Sequence, residues 1–225
     1  VFERDIKKAI KQSDNKKNDK YTFSFDMLGE AAVTYEDSER YYSQYEEAIL
    51  QTGKSLNPHK KSISIKLSSL HPRYERNKFD LLKKELLPKI FKLVELGREN
   101  KVDICIDAEE ADRLNLSLFM FKDIIESKLI DNVYHGFGFA IQAYQKRTFF
   151  LLDWLNDYLQ SVDKKINIRL VKGAYWDTEI KIAQEEGFEN YPVFTKKFAT
   201  DISYLACAHK LLVNKNIFSQ FATHN

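Results

Sequence analysis

SISIKLS (Ser62–Ser68), VDICID (Val102–Asp107) and INIRLVK (Ile166–Lys172) follow one pattern. In the first, Ile63, Ile65 and Leu67 fall on one side and Ser64 and Lys66 on the other. In the second, Val102, Ile104 and Ile106 oppose Asp103, Cys105 and Asp107. In the third, Ile168 and Leu170 oppose Asn167 and Arg169. Side chains of a strand alternate between its two faces, so each segment has an aliphatic face and a second face with polar groups near its C-terminal end. Central strands of a flat doubly wound sheet have helices on both sides and are apolar on both faces. A closed β/α barrel accommodates polar groups inside, gathered at the C-terminal mouth where active sites lie. The alternation predicts an α/β fold of the (β/α)8 barrel type.

Further strands are predicted at Thr22–Met27 (TFSFDM), Gly136–Tyr144 (GFGFAIQAY) and Ser219–Thr223 (SQFAT). Neighbouring strand starts are separated by roughly 30 to 50 residues, room for one crossover helix each. Helices are expected over Phe79–Asn100, with Leu82, Leu86, Ile90 and Leu93 on one stripe, and over Asp112–Ser127, Arg147–Gln160 and Thr195–Lys215. Thr34 and Asp37 have capping-box spacing ahead of the first helix of the repeat. About six βα units are visible, where a closed barrel has eight. Residues 1–20 read as a separate segment, helical in its first half, with the polar stretch Lys11–Lys20 a flexible connector. Residues 21–225 read as an incomplete barrel. Both ends are expected to be cuts from a longer protein, because the chain begins at Val1 and ends at Asn225 directly after a strand.

Hydrophobic residues make up 44% of the 225, charged residues 30%, and the net charge is +2. That is the composition of a globular domain with a core. The charges are mixed along the chain, which gives no case for nucleic acid. No apolar run approaches the roughly 20 residues of a spanning helix. Cys105 and Cys207 sit in apolar contexts and read as buried thiols of a reducing compartment. P-loop, G-x-G-x-x-G, H-x-x-x-H, paired C-x-x-C and G-x-S-x-G signatures are absent, so neither a Rossmann dinucleotide site nor a metal site is expected.

The remaining chemistry lies at strand ends. Lys66 on an inward position requires an anion. It reads either as the partner of Asp107 on the neighbouring strand or as a carboxylate-binding lysine. Arg169 and Lys172 read either as a lining ion pair or as cations for phosphate or an electron-rich ring. Gly173 permits close approach of a ligand to backbone. Tyr175 and Trp176 follow on an expected mouth loop, where they serve either as core or as a surface for a planar ligand. Ala222–Asn225 (ATHN) brings together hydroxyl, imidazole and amide groups. A Schiff-base aldolase-type barrel using Lys66 or Lys172, and a non-catalytic barrel fragment, are alternative readings.

KLSSLHPRYE (Lys66–Glu75), DAEEADRL (Asp107–Leu114), QAYQKR (Gln142–Arg147), RLVKGAYWDTEIK (Arg169–Lys181), YPVFTKK (Tyr191–Lys197), TDISYLACA (Thr200–Ala208) and QFATHN (Gln220–Asn225) occur in order, after FDMLGEAA (Phe25–Ala32). From about Tyr21 to Asn225 the chain resembles the proline dehydrogenase domain. The similarity is greatest to the bifunctional bacterial proline-utilisation flavoenzymes, in which an aldehyde-dehydrogenase module follows this barrel. The resemblance implies a distorted (β/α)8 barrel holding FAD non-covalently at its mouth. It implies hydride transfer from L-proline to the flavin, giving 1-pyrroline-5-carboxylate, with electrons passed on to a membrane quinone. It also implies a cytoplasmic protein peripherally associated with the inner membrane.

Carried over to this sequence, Lys66 pairs with the proline carboxylate. Ala174 and Tyr175 line the proline pocket with Asp26 nearby, Asp107 holds an arginine or orders the pocket, and Arg169 sits near the flavin N5 edge. Gln142, Arg169, Val171, Lys172, Gly173, Trp176, Thr223, His224 and Asn225 contact FAD; Lys66, Asp107, Arg169 and Tyr175 form the catalytic set. The family's late Tyr-x-x-Arg-Arg helix, whose arginines clamp the proline carboxylate, has no counterpart in this sequence. Weak turnover by the isolated chain is therefore expected. Homo-oligomers that cover open sheet edges are expected as well.

Overall fold

In the computed structural model, residues 5–18, 20–27, 31–57, 59, 61–131 and 134–223 are described. The strands are β1 (Phe23–Asp26), β2 (Lys61–Ile65), β3 (Val102–Ile106), β4 (Phe137–Gln142), β5 (Ile166–Val171) and β6 (Ile217–Phe221). They form one parallel sheet in the order β1-β2-β3-β4-β5-β6. Parallel neighbours in sequence order require a crossover each time, and helices supply it.

The sheet is strongly curled. Arg169 on β5 donates from Nη2 to the Ser24 hydroxyl on β1 at 2.8 Å. In a flat sheet those strands are four steps, about 19 Å, apart, far beyond one side chain. The predicted barrel architecture is thus present as a curled half-barrel of six strands.

The alternation read from the sequence decides what lies on each side of this curl. Ile63, Ile65, Val102, Ile104, Ile106, Phe137, Phe139, Ile141, Ile166, Ile168 and Leu170 are buried in one core cluster with the covering helices. Ser64, Cys105, Ala140, Asn167 and Arg169 have the opposite parity and face the lumen. Gly138 on β4 belongs to that inner face. A Cβ there would lie 2.7 Å from Asn167 O on the paired strand, so only glycine lets the lumen pack this closely.

Around the strands run α1 (Ile6–Ser13), α2 (Tyr35–Gly53), α3 (Leu67–Leu70), α4 (Phe79–Glu85), α5 (Leu87–Glu99), α6 (Leu114–Ile125), α7 (Thr148–Ser161), α8 (Trp176–Glu185) and α9 (Lys197–Val213). The capping box forms as read: Thr34 Oγ1 accepts Asp37 N–H and Asp37 Oδ2 accepts Thr34 N–H. Several boundaries differ from expectation. The single helix over Phe79–Asn100 is two, because Pro88 in the first turn of α5 has no N–H for the turn before it. The strand expected to run to Ser68 ends at Ile65, so Lys66 is not a strand residue but the N-cap of α3. The last strand starts two residues earlier than expected, at Ile217.

Helix α8 occupies what read as a mouth loop around Trp176. Its N-cap, Tyr175, makes no side-chain cap bond, and few of its residues are buried, although Asp177 and Glu179 stand in its first turn. Within the expected connector, helix continues to Ser13, and Asp14 Oδ1 accepts from the Ser55 hydroxyl and Asn57 N–H after α2. Ala9 and Ile10 of α1 belong to the same core as the barrel. Both cysteines are buried free thiols.

Candidate functional site

The C-terminal ends of the strands surround a cavity of about 590 Å³, within the range of small-molecule sites. Ten of the sequence-predicted residues line it: Asp26, Lys66, Asp107, Gln142, Arg169, Val171, Lys172, Gly173, Ala174 and Tyr175. They come from the ends of five strands, β1 to β5, and the turns that follow. Trp176 is absent from the lining: it opens α8, is 41% exposed and donates its indole N–H to Phe194 O at 3.0 Å. Thr223 is exposed and also off the lining. His224 and Asn225 lie outside the described residues.

Each charged group has a definite neighbour. Lys66 Nζ stands 3.6 Å from Asp26 Oδ2, not against Asp107 as the ion-pair reading held. Its backbone N–H is held by Tyr45 Oη at 3.2 Å, which fixes where the strand gives way to α3. Asp107 instead has Arg169, with Nη1 at 3.6 Å from Oδ1. Arg169 Nη1 also donates to Ser64 Oγ at 2.7 Å and Nε to Gln220 Oε1 at 3.2 Å. Burial pushes the Asp107 carboxyl up to about 6; the Asp26 charge adds to this, while Lys66 and Arg169 oppose it. The Tyr175 phenol is also raised, by burial and then by the Glu109 and Glu110 charges.

At the rim, Lys172 Nζ donates to Asp201 Oδ1 at 2.6 Å, and Lys197 donates to the other oxygen of the same carboxylate at 2.8 Å. Two lysines on one aspartate leave a net positive rim. Both Lys66 and Lys172 therefore stand beside carboxylates, Asp26 and Asp201.

The backbone after β5 is shaped by two neighbours. Gly173 has φ +138°, and a Cβ on it would lie 2.5 Å from the Tyr144 ring. Gln142, buried at the end of β4, accepts Ala174 N–H on Oε1 at 3.3 Å and donates from Nε2 to Glu109 O at 2.7 Å. Gln142 thus ties the turn that carries Ala174 and Tyr175 to the turn after β3.

Sequence reasoning did not single out Ser24, Ser64, Tyr45, Tyr144, Glu109 or Asp201. For Ser24 and Ser64 a signal existed: both share strand parity with Asp26 and Lys66, which places them on the lumen face. For Tyr45 on α2 and Asp201 on α9 the only link to the site is spatial.

The sequence profile of the proline dehydrogenase family matches residues 9–225. Over 211 residues, 91% of this chain, it is 50% identical to the bifunctional protein PutA of Klebsiella aerogenes, and over 223 residues 43% identical to PutA of Rhizobium meliloti. It spans 16% and 18% of those proteins' lengths. A crystal structure of a proline utilization A mutant from Bradyrhizobium japonicum superposes with a TM-score of 0.89 at 44% identity, covering 99% of this chain and 23% of that one. One from Bdellovibrio bacteriovorus, inactivated by N-propargylglycine, superposes at 0.90 with 30% identity, covering 98% and 24%. A profile match over nearly the whole chain, together with relatives sharing up to half its residues, establishes that this chain belongs to the proline dehydrogenase family.

Proposed function

We propose that these residues form part of an FAD-dependent site that oxidises L-proline to 1-pyrroline-5-carboxylate. The observation that carries this reading is the convergence of Lys66, Asp107, Arg169 and Tyr175 on one cavity. Residues 21–225 would supply the barrel part of that site, with residues 1–20 an appended helical segment.

The residues present fit a flavin. Gly173 has no side chain to obstruct the cavity, Lys172 and Lys197 place cations along the rim, and Arg169 places another in the lumen. Such cations suit a pyrophosphate and an electron-rich ring. Bound there, FAD would supply the acceptor for the hydride that leaves proline C5. Val171 and the Gln142 amide would line its contact surface, with Trp176, Thr223, His224 and Asn225 proposed as further contacts.

The chain's own side chains would orient the substrate. Proline is a zwitterion, and its carboxylate needs a fixed cation in a site of reduced polarity. Lys66 offers one: its side chain is 21% exposed, and Asp26, with a side chain 44% exposed, is a loose partner at 3.6 Å. Ala174 and the Tyr175 ring would enclose the pyrrolidine ring. Asp107 would keep Arg169 on the lumen side. The proline amine must lose a proton before C5 becomes a good hydride donor, and the departing hydride leaves the C=N bond of the product.

Onward electron transfer to a quinone and peripheral attachment to the inner membrane are proposed for the longer protein. Among the described residues, no helix is long and apolar enough to cross a membrane. Weak turnover by these 225 residues alone is also proposed, since Arg169 is already committed to Ser24, Ser64 and Gln220 and leaves Lys66 as the carboxylate cation. The exposed stripe Phe198, Ile202, Leu205 and Leu212 on α9 supports self-association of the isolated chain; sedimentation as a monomer at all concentrations would exclude it.

Reconstitution with FAD tests the proposal. The full-length protein carrying these residues should show the visible flavin band and lose it on anaerobic addition of L-proline. A flavin-loaded protein that proline does not bleach would refute the reading.

A further inference from the structure

Arg169 rests on neutral acceptors in preference to its carboxylate. Its Nη1, Nη2 and Nε donate to Ser64 Oγ, Ser24 Oγ and Gln220 Oε1 at 2.7, 2.8 and 3.2 Å. Asp107 Oδ1 is farther away, 3.6 Å from Nη1. The two hydroxyls come from β1 and β2, across the lumen from β5. In each strand they sit two residues before a charged group of the cavity, Asp26 and Lys66, and so one layer deeper. Ser64 is 2% exposed and is therefore part of the lumen packing.

A carboxylate and a hydroxyl hold a guanidinium with different consequences. A carboxylate cancels its charge; a hydroxyl accepts the same N–H and leaves the positive charge undiminished. A buried cation that must act on a ligand is served better by the second arrangement, provided the carboxylate nearby is kept at a distance.

We propose that Ser24 and Ser64 are positioning residues for Arg169, holding its guanidinium out of hydrogen-bond contact with Asp107 so that an electron-rich group in the cavity meets a cation only loosely paired. This deepens the flavin reading and rests on it for the identity of that group. Without the two hydroxyls, Arg169 closes on Asp107 and the loose ion pair at 3.6 Å becomes a charge-assisted hydrogen bond. The groups facing Asp107 are Asp26 from β1 and Glu109 from its own turn, which raise its titration, and Lys66 from the N-cap of α3 and Arg169 from β5, which lower it. Closure strengthens the last of these.

Two measurements test the idea. In the apoprotein, the Asp107 carboxyl is titrated by carbon-13 NMR in the wild type and in Ser24→Ala/Ser64→Ala. Its value should drop by about one unit in the double variant, since the opposite charge comes into contact. In the flavin-loaded full-length protein, the same variant should lower the flavin reduction equilibrium roughly tenfold, a potential about 30 mV more negative for a two-electron couple. Ser24→Thr keeps a hydroxyl and should leave both readouts at wild-type values. A double variant with wild-type circular dichroism and an unmoved Asp107 titration overturns the proposal. If the double variant does not fold, Ser24→Ala, at an exposed position, decides it: a smaller shift in the same direction supports the role and no shift overturns it. If the wild type binds no FAD, the flavin reading fails, and the Asp107 titration alone decides the role of the serines.

Discussion

The Tyr144 ring lies against the α-carbon of Gly173, so close that a methyl group at that carbon would stand 2.5 Å from the ring. Gly173 also has φ +138°, a conformation side-chain-bearing residues rarely adopt. The turn that aims Ala174 N–H at Gln142 and sets Tyr175 on the cavity therefore depends on glycine twice, for its backbone angle and for the ring beneath it. Gly173→Ala should lower stability by about 1–3 kcal/mol and weaken FAD binding, read as a reduced thermal midpoint and a higher Kd by flavin fluorescence quenching. Unchanged affinity in the alanine variant would detach this turn from the flavin site.

Lys66 is held at its backbone by Tyr45, and its side chain lines the cavity with the ammonium 3.6 Å from Asp26 Oδ2. Lys66→Met keeps the apolar stem and removes the charge. If the ammonium binds the proline carboxylate, the loss of one charge-assisted hydrogen bond, about 1.5–3 kcal/mol, lowers kcat/KM roughly tenfold to hundredfold. The change should fall mainly on KM, with the flavin spectrum unaltered. Steady-state kinetics on the flavin-loaded full-length protein checks this.

Asp107 makes a pH-dependent contribution with a definite sign. Its folded value of about 6 lies above the ordinary 3.8, so the folded state binds this proton more tightly than the unfolded state. The stability it contributes is fully present below about pH 4 and declines as pH rises toward 6; above that, the cost of the buried charge is complete. A shift of this size corresponds to at most about 3 kcal/mol. Asp107→Asn should therefore gain stability relative to the wild type as pH rises from about 4 to 6 and hold that gain above. Urea midpoints of both proteins across this window give the difference curve, and a flat difference would contradict it.

Hydride loss from proline requires the neutral amine. The rate of flavin reduction at saturating proline should climb with pH toward the effective value of the bound amine and then level. Rapid-mixing reduction of the flavin-loaded protein at several pH values reads this step directly. A rate independent of pH would show that the amine proton is lost elsewhere in the sequence of events.

The barrel architecture was legible in the sequence because period-2 alternation is a local property. Ile63, Ile65, Ile104, Ile106 and Ile168 could face only covering helices, and the opposite parity assigned Ser64, Asp107 and Arg169 to a lumen. Element ends were less legible. Whether Lys66 closes a strand or opens a helix depends on the Tyr45 hydroxyl, which arrives from α2, and α8 lacks a side-chain cap and buries few of its residues.

The sequence by itself determined which side chains line one wall and which line the other, since covalent alternation along a strand requires no partner. Which of those side chains touch was decided only in three dimensions. Lys66 meets Asp26 rather than Asp107, and Arg169 reaches residues 145 and 105 positions away. Those distances come from the curl of the sheet, a collective consequence of strand twist and helix packing that no single segment encodes.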